Sequence, residues 1–204
     1  SGLERGLHMA EELEGKITVP FCPESSLSGI GHTDFINCVW YRRTIEIPEA
    51  WEGKSVFLNF GAVDYTAEIF IDGTLAARHC GGSSSFSIDI SSLVKAGQRH
   101  NLAVRVEDDP RSGYQSVGKQ STGYYSKGCF YTRVTGIWQT VWMEAVDRHG
   151  LKRVTMRPDI DQGQLVVMPE FLSESDCTLE VVMKDGEKTV ARRTVACSNH
   201  ACIV

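Results

Sequence analysis

The sequence predicts an all-β protein, a jelly-roll β-sandwich followed by part of an immunoglobulin-like β-sandwich. Three observations lead to this prediction. Apolar residues recur at every second position in short runs, which is the period of a half-buried strand. Turn signals separate the runs at intervals of about 8–12 residues, the spacing typical of sandwiches and jelly rolls. Helical periodicity is limited to one short stretch near Ser91–Lys95, which predicts a single turn.

Seven strands are expected in the first part of the chain. Val56, Leu58 and Phe60 show the pattern clearly, because they alternate along the run Ser55–Phe60 and share one face. Asp72-Gly73 is a strong signal for a two-residue hairpin turn between two such runs. In chain order, the predicted strands are Val39–Ile47, Ser55–Phe60, Ala67–Ile71, Leu75–Cys80, Phe86–Ile90, Asn101–Glu107 and Thr140–Val146.

A second, smaller β domain is expected after residue 147. The composition shifts at Asp147–Gly150, so the first domain is placed at residues 1–147 and the second at residues 148–204. Asp185-Gly186 marks another hairpin turn in the second domain. A complete immunoglobulin-like sandwich needs about seven strands over about 100 residues, so this domain is predicted to be partial. Its predicted strands are Val154–Met156, Leu165–Phe171, Thr178–Met183 and Thr189–Cys197.

One long loop, Asp108–Phe130, is the candidate binding region. It shows almost no apolar alternation, and loops longer than about 12–15 residues in compact domains are usually functional or disordered. Aromatic rings suit the apolar faces of sugars, while amide and charged groups suit sugar hydroxyls. The loop carries side chains of both kinds, namely Tyr114, Gln115, Lys119, Gln120, Tyr124 and Tyr125. The alternative is a loop that packs against a neighbouring domain, and the two interpretations are compatible.

Charge and composition restrict the partners. The formal net charge of -5 disfavours nucleic acid, and no apolar stretch approaches the ~20 residues that span a membrane. The seven cysteines are scattered and never spaced Cys-x-x-Cys, so no metal site is expected, and no cofactor is expected either. They are expected to be mostly reduced and buried. Reduced cysteines favour the cytoplasm over the periplasm but leave the location open.

Seven phrases between about residues 17 and 146 occur in an order that is specific when taken together. They are Val19–Ser25 with Ser28–Ile30, Val39–Arg43, Asn59–Tyr65, Ile71–Gly73, Gly81-Gly82 with Phe86–Ile90, Val104–Asp109 with Gly118–Gln120, and Tyr131–Trp142. In this order they resemble the N-terminal part of glycoside hydrolase family 2, the group of β-galactosidases, β-glucuronidases and β-mannosidases. Residues 150–204 resemble the first half of the domain that follows in that family.

The resemblance implies a fold and a role. In that family the segment is a jelly-roll, galactose-binding-domain-like sandwich called the sugar-binding domain, followed by an immunoglobulin-like sandwich and a (β/α)8 barrel. Two carboxylates on the barrel hydrolyse β-glycosides with retention, and the acid/base lies in an Asn-Glu pair. This chain contains no Asn-Glu pair, and a barrel needs about 200 further residues. The chain alone is therefore expected to have no catalytic residues, although its parent protein would be a glycoside hydrolase.

The resemblance also implies partners and contact residues. The parent is expected to be of β-galactosidase type first and β-glucuronidase type second. The expected partners are a β-glycoside and the downstream barrel of the same polypeptide, and a homo-oligomer is left open. The rival interpretations are a stand-alone carbohydrate-binding module and a purely structural adhesion sandwich with no affinity for sugar. The residues expected to line one wall of the sugar pocket are Glu24, Ser25, Asp108, Lys119, Gln120, Tyr124, Tyr125 and Trp138. A family metal contact falls on Phe130 here, so the resemblance carries over no metal site.

Three of the polar or aromatic signals have simpler explanations. Asp108 and Asp109 are more simply a solvated strand end before Pro110. Asp64 has apolar neighbours and is more simply a buried acid that ties down loop backbone by hydrogen bonds. Trp138 is as readily a core or interdomain anchor as a platform for sugar.

Overall fold

The all-β prediction is confirmed by the structure, a computed structural model that describes residues 2–174 and 176–198. The chain forms two compact units, one of residues up to Glu52 with Val56–Ala145 and one of Gly53–Ser55 with residues from Val146 onward. Helical elements in the described part are short 3-10 turns at Leu7–Met9, Ser26–Ser28 and Glu49–Trp51, whereas Ser91–Lys95 forms only a turn. The strands are β1 (Cys38–Glu46), β2 (Ser55–Phe60), β3 (Val63–Asp64), β4 (Thr66–Ile71), β5 (Thr74–Cys80), β6 (Phe86–Asp89), β7 (Arg99–Glu107), β8 (Gly136–Ile137), β9 (Val141–Val146), β10 (Leu151–Asp159), β11 (Gln164–Phe171), β12 (Cys177–Asp185) and β13 (Lys188–Cys197).

Two larger sheets build the first unit. One has the order β1-β7-β4-β5 and is antiparallel throughout, and the other has the order β6-β2-β9. Tyr41, Val104, Ile69 and Ala77 stand in register across the four-stranded sheet. Because side chains alternate between the two faces of a strand, every second residue along these strands joins them on the same face.

The inward faces of both larger sheets share one hydrophobic core. Val56, Leu58 and Phe60 on β2 are buried, as their alternation predicted. They belong to the same cluster as the buried residues of β1, β4 and β7. Each large apolar side chain buried in this way contributes about 1.5–3 kcal/mol. This core fixes the strand ends from which the long loop leaves and to which it returns.

The predicted Asp72-Gly73 turn joins β4 to β5. Both residues take the left-handed conformation, with φ of 47° and 80°. Asp72 Oδ1 accepts the Asn101 N–H at 2.7 Å, and Oδ2 lies 2.6 Å from Nδ1 of the buried His100. His100 Nε2 accepts the Lys95 N–H at 3.0 Å, so its Nδ1 carries the proton and donates to Asp72. The side chain of the turn residue thereby ties the hairpin to β7.

The second unit contains two antiparallel hairpins, β10 with β11 and β12 with β13. β12 extends through Asp185, so Gly186 and Glu187 form the second hairpin turn, one residue later than predicted. Gly186 has a φ of 55°, which only glycine adopts easily. Phe171 and Val167 are buried, whereas most of β10 is exposed.

The cysteines are less buried than predicted. Free thiols are found at Cys22, Cys38, Cys80, Cys129 and Cys177, of which three are exposed and two are partly buried. The exposed ones lie at strand ends or in the long loop, where packing does not cover them. Cys197 is disulfide-bonded, and Cys202 lies outside the described residues. Across residues 2–174 and 176–198, no helix has the length and apolarity to cross a membrane.

Candidate functional site

The long loop leaves the end of β7 and returns to β8, which forms with β3 a pair of short strands that the sequence did not predict. β3 and β8 pair Val63 with Ile137 and Asp64 with Gly136. Gly136 has a φ of 77°, and a Cβ at this position would overlap the Tyr41 hydroxyl. That hydroxyl accepts the Ile137 N–H at 3.2 Å. Only glycine therefore lets the chain return from the loop this close to β1.

Asp64 lies beneath the loop and is only 6% exposed. Gln120 Nε2 donates to its Oδ2 at 2.7 Å, and Gln120 Oε1 accepts the Val134 N–H at 2.7 Å. The Gly82 backbone lies against the same carboxylate, where a Cβ would overlap it. Asp64 is thus buried as expected, but it holds the loop through the Gln120 side chain rather than through backbone groups.

Asp108, expected at a solvated strand end, is only 1% exposed, so that expectation is wrong. Gln115 Nε2 donates to its Oδ1 at 2.6 Å, and Thr135 Oγ1 donates to its Oδ2 at 3.1 Å. The neighbouring Asp109 N–H donates to Gln115 Oε1 at 3.0 Å. The loop folds back over the strand end, and these two side chains replace water around the carboxylate.

Glu24 is a third buried acid under the long loop, with 8% of its surface exposed. These three acids, together with the buried Gln120 and Arg133, form the base of the loop. Its Oε2 accepts the Thr135 N–H at 3.2 Å. Ser25, its neighbour, has a local role instead, because its Oγ accepts the Leu27 N–H at 3.2 Å and caps a short 3-10 turn. The opening loop of the chain is therefore bonded directly to the segment that closes the long loop.

Burial changes the pKa values of two of these acids, Asp64 and Asp108. Burial, followed by the negative charges of Asp108 and Glu24, raises the pKa of Asp64 to about 6 against the opposing effect of the Gln120 hydrogen bond. Burial also raises the pKa of Asp108, against the hydrogen bonds from Gln115 and Thr135. Asp64 consequently holds a proton at mildly acidic pH, where an exposed aspartate is ionised.

Arg133 is the main residue of the base that the sequence analysis did not name as a candidate. It is 2% exposed, although arginines are mostly exposed in proteins. Its Nη1 donates to the carbonyls of Gly123 at 2.7 Å and Tyr124 at 3.3 Å, and its Nη2 donates to the carbonyl of Thr33. The guanidinium also stacks on the Phe35 ring, 4.2 Å from its centroid. Its place in the final family-like run is the one sequence signal that could have indicated this role.

The outer part of the loop presents aromatic rings to solvent. Tyr124 and Tyr125 are 52% and 79% exposed, and their rings meet edge to face with centroids 5.0 Å apart. Lys119 is exposed on the same loop. Trp138 is half-buried and donates from Nε1 to the Gly82 carbonyl at 2.8 Å, which fits an anchor better than a free platform.

The predicted site residues thus separate into three groups by burial. Glu24, Asp108 and Gln120 are buried in the base, whereas Lys119, Tyr124 and Tyr125 are exposed on the loop; Ser25 and Trp138 are partly buried. Buried carboxyls with raised pKa values, as found for Asp64 and Asp108, are typical of functional sites. These carboxyls are covered and bonded to the loop, so they can position it but cannot reach a substrate. Within the described ranges, no group of three or more His, Cys, Asp or Glu is placed to hold a metal ion.

Residues 31–144, more than half of the chain, match the family model described as "Glycosyl hydrolases family 2, sugar binding domain". The chain belongs to this family. The matched range contains Asp64, Asp108, Gln120 and Arg133, whereas Glu24 precedes it. The base of the long loop is therefore largely built within the family 2 domain.

Curated relatives agree with this assignment. The chain is 28% identical to the β-glucuronidase of Canis lupus familiaris over 216 aligned positions, which cover 95% of this chain and 33% of the relative. It is 25% identical to the β-galactosidase of Thermoanaerobacter pseudethanolicus over 155 positions, covering 72% of this chain and 20% of the relative. The chain thus spans between a fifth and a third of these relatives.

Solved structures show the same fold. The β-glucuronidase of Ruminococcus gnavus matches with a TM-score of 0.73 at 18% identity, over 100% of this chain and 35% of that one. A family 2 glycosyl hydrolase of Bacteroides cellulosilyticus matches with a TM-score of 0.65 at 18% identity, over 95% of this chain and 25% of that one. This family 2 chain shares its fold with segments of much longer proteins.

Proposed function

We propose that this chain is the non-catalytic N-terminal part of a retaining β-glycosidase. Its first domain, residues 1–147, is a jelly-roll sugar-binding domain, and residues 148–204 are part of an immunoglobulin-like domain. The chain supports the catalytic barrel of the same polypeptide, and its long loop forms one wall of the sugar pocket. β-Galactosides are the first candidate substrates and β-glucuronides the second, and relatives with both names support this choice. A homo-oligomer belongs to the same proposal.

The observation that carries this proposal is an exposed aromatic surface on a fixed base. Tyr124 and Tyr125 have the ring faces that suit a sugar, and Lys119 offers a charged donor on the same loop. Arg133 binds the carbonyl of Tyr124, so the ring is attached to backbone that the buried arginine positions. A surface held in this way loses little conformational entropy when it meets a ligand.

The chemistry itself is assigned to residues outside this chain. A retaining glycosidase needs two accessible carboxyls about 5–5.5 Å apart. The buried acids Glu24, Asp64 and Asp108 are covered by the loop that they hold. Their role is to position the wall, and the nucleophile and acid/base belong to the barrel.

The experiment is a steady-state comparison in the whole polypeptide. Tyr124→Ala and Tyr125→Ala should each raise KM for the preferred nitrophenyl β-glycoside by about 2-fold to 10-fold, because a ring contact contributes about 0.5–1.5 kcal/mol. The matched control is Tyr114→Ala in the same loop, where the ring is 95% exposed. An unchanged KM in both test variants would show that the loop does not form a wall of the sugar pocket.

A stand-alone carbohydrate-binding module is the second candidate, because the exposed tyrosine pair alone could hold a sugar. Calorimetry separates the two functions. A single pocket wall should bind monosaccharides with a dissociation constant of about 1 mM or weaker, corresponding to about -4 kcal/mol. Micromolar binding by the isolated chain would favour the module.

A further inference from the structure

The exposed charges of the long loop are all positive. Between Pro110 and Thr132 the charged residues are Arg111, Lys119 and Lys127, and each of them is exposed. The chain as a whole has a formal net charge of -5, so this concentration of positive charge is local. The three acids of the base lie below the surface, since each is at most 8% exposed. The outer side of the loop is therefore a basic surface on an acidic chain.

The two lysines of this loop differ from other exposed basic residues in having no ionic partner. Three arginines of the strands each form an ion pair with a glutamate, namely Arg99, Arg153 and Arg192. The guanidinium of Arg111 lies over the Phe35 ring, 3.8 Å from its centroid. Lys119 and Lys127 form no ion pair with any residue in the ranges 2–174 and 176–198. Their charges are therefore available to a ligand.

Backbone hydrogen bonds place these lysines on either side of the dipeptide Phe130-Tyr131. The Lys127 N–H donates to the Phe130 carbonyl at 3.0 Å, and the Phe130 N–H donates to the Lys127 carbonyl at 3.1 Å. The Tyr131 N–H donates to the Lys119 carbonyl at 3.0 Å. Successive residues of an extended chain direct their backbone groups to opposite sides. Lys127 and Lys119 therefore lie at opposite edges of the dipeptide, about two strand spacings or ~10 Å apart.

The dipeptide between the lysines is aromatic. Phe130 and Tyr131 are 48% and 52% exposed, so the lysine surface, defined as Lys119, Lys127, Phe130 and Tyr131, combines two ammonium groups with two rings. Lysine carries its charge on a flexible stem, which allows two ammonium groups to meet one anion between them. Hydrogen bonds from an ammonium group to an ionised oxygen are about twice as strong as those between neutral groups.

We propose that the lysine surface binds an acidic group of the glycoside substrate, either a carboxylate or a sulfate. The proposal rests on the proposed function, because it requires the long loop to be a wall of the sugar pocket, and it adds the charge of the substrate. Lys119 and Lys127 donate to the acidic oxygens, while the rings between them contact an apolar face of the sugar. These residues select acidic over neutral glycosides and take no part in breaking the bond.

An acidic glycoside fits this surface better than other anions do. A free inorganic anion would use the two ammonium groups but leave both rings in water. A nucleic acid would bring many phosphates close to a chain with a net charge of -5, and binding to its backbone depends on an extended basic surface. A glycoside with one acidic group uses the lysines and the rings together.

The test is calorimetric binding of thio-β-glycosides, which resist hydrolysis, to the full polypeptide encoded by the same gene. Thiogalactosides and thioglucuronides are each compared with a phenyl, a carboxyphenyl and a sulfophenyl leaving group. Lys119→Gln/Lys127→Gln should bind at least one acidic ligand about 3-fold to 30-fold more weakly than the wild type, because two exposed charge contacts are lost. Affinity for the neutral phenyl thiogalactoside should change by less than about 2-fold.

Two further variants separate the lysine surface from general charge. Lys119→Arg/Lys127→Arg keeps both charges and should retain most of the affinity for acidic ligands. Lys54→Gln/Lys95→Gln removes the same charge from exposed positions outside the loop and should leave every affinity unchanged. An equal loss of acidic-ligand affinity in this control and in Lys119→Gln/Lys127→Gln would overturn the proposal, because it would show attraction by net charge alone.

The pattern across the ligands decides the remaining outcomes. A loss confined to thioglucuronides would place the acidic group on the hydrolysed sugar, and a loss confined to carboxyphenyl or sulfophenyl ligands would place it on the leaving group; both support the proposal. Equal affinities for acidic and neutral ligands in the wild type and in Lys119→Gln/Lys127→Gln would overturn it. Weaker binding of inorganic sulfate without any effect on acidic glycosides would also overturn it, because the surface would then hold an adventitious ion only.

This proposal and the proposed function can fail separately. The KM values of Tyr124→Ala and Tyr125→Ala report on the tyrosine wall, whereas the preference for acidic ligands reports on the lysines. Unchanged KM values together with an acidic preference that depends on Lys119 and Lys127 would reject the tyrosine wall alone. Raised KM values without such a preference would reject the lysine surface alone.

Discussion

Gln120 and Asp64 are 56 positions apart in the sequence, yet Gln120 Nε2 lies 2.7 Å from Asp64 Oδ2 in a buried hydrogen bond. The same amide accepts the Val134 N–H with its oxygen. One side chain therefore links the acid under the loop to the segment that closes it. The exposed tyrosines depend on this link, because the backbone that carries them begins directly after Gln120.

Replacing Gln120 by alanine should loosen the loop. The change leaves the Asp64 carboxylate and the Val134 N–H without their partners, so the free energy of unfolding should fall by about 1–3 kcal/mol in urea titrations. Chymotrypsin should also cut faster at Tyr124 and Tyr125. The control is Lys119→Ala, an exposed neighbour that should change stability by less than about 0.5 kcal/mol. If the two variants had the same free energy of unfolding and the same rate of cleavage, Gln120 would not be holding the loop.

Asp64 should make the folded state more stable as pH falls. Its folded pKa of about 6 lies above the ordinary value of 3.8, so the folded state binds the proton more tightly than the unfolded state. The unfolding free energy of the wild type relative to Asp64→Asn should therefore rise as pH falls from 7 to 4, by on the order of 1–3 kcal/mol. Denaturant titrations at several pH values measure the difference. A difference in unfolding free energy that stays constant or decreases as pH falls would contradict a raised pKa of Asp64.

Glu68 should show the opposite pH dependence. Burial alone would raise its pKa, but hydrogen bonds from Arg78 at 2.9 Å and Arg105 at 2.8 Å outweigh it and hold the pKa below its ordinary value. At pH 7 the wild type should have a larger free energy of unfolding than Glu68→Gln, and this difference should disappear as pH falls below about 4.5. At neutral pH the difference should be about 1–3 kcal/mol, since the bonds involve charged groups. A difference that persists at pH 3 would argue against ionic bonds here.

Gly136→Ala should be severely destabilising. A methyl group would overlap the Tyr41 hydroxyl, and the residue must keep a φ of 77°. We expect the free energy of unfolding to fall by at least about 3 kcal/mol, measured by urea unfolding. Gly97→Ala is the matched control, because Gly97 has a φ of 73° with open space around it and should lose only about 1–2 kcal/mol. Similar losses in both variants would show that the Tyr41 contact yields to the methyl group.

Local signals predicted the strands and turns well. Asp72-Gly73 was recognised because a two-residue turn is encoded by its own residues, and the long loop was recognised because it lacks alternation. The environment of Asp108 was predicted wrongly, since its burial depends on Gln115 and Thr135 folding back over the strand end. Arg133 was not proposed, because a buried arginine bonded to backbone carbonyls has no local sequence pattern.

We propose that this chain supports catalysis without performing it. The direct measurement is hydrolysis of nitrophenyl β-galactoside and nitrophenyl β-glucuronide by the pure 204-residue chain and by the full polypeptide of the same gene. We expect turnover of at least one of the two glycosides by the full polypeptide and none above the buffer blank by the 204-residue chain. Turnover by the pure 204-residue chain would overturn this proposal, because it would place both catalytic carboxyls within these residues.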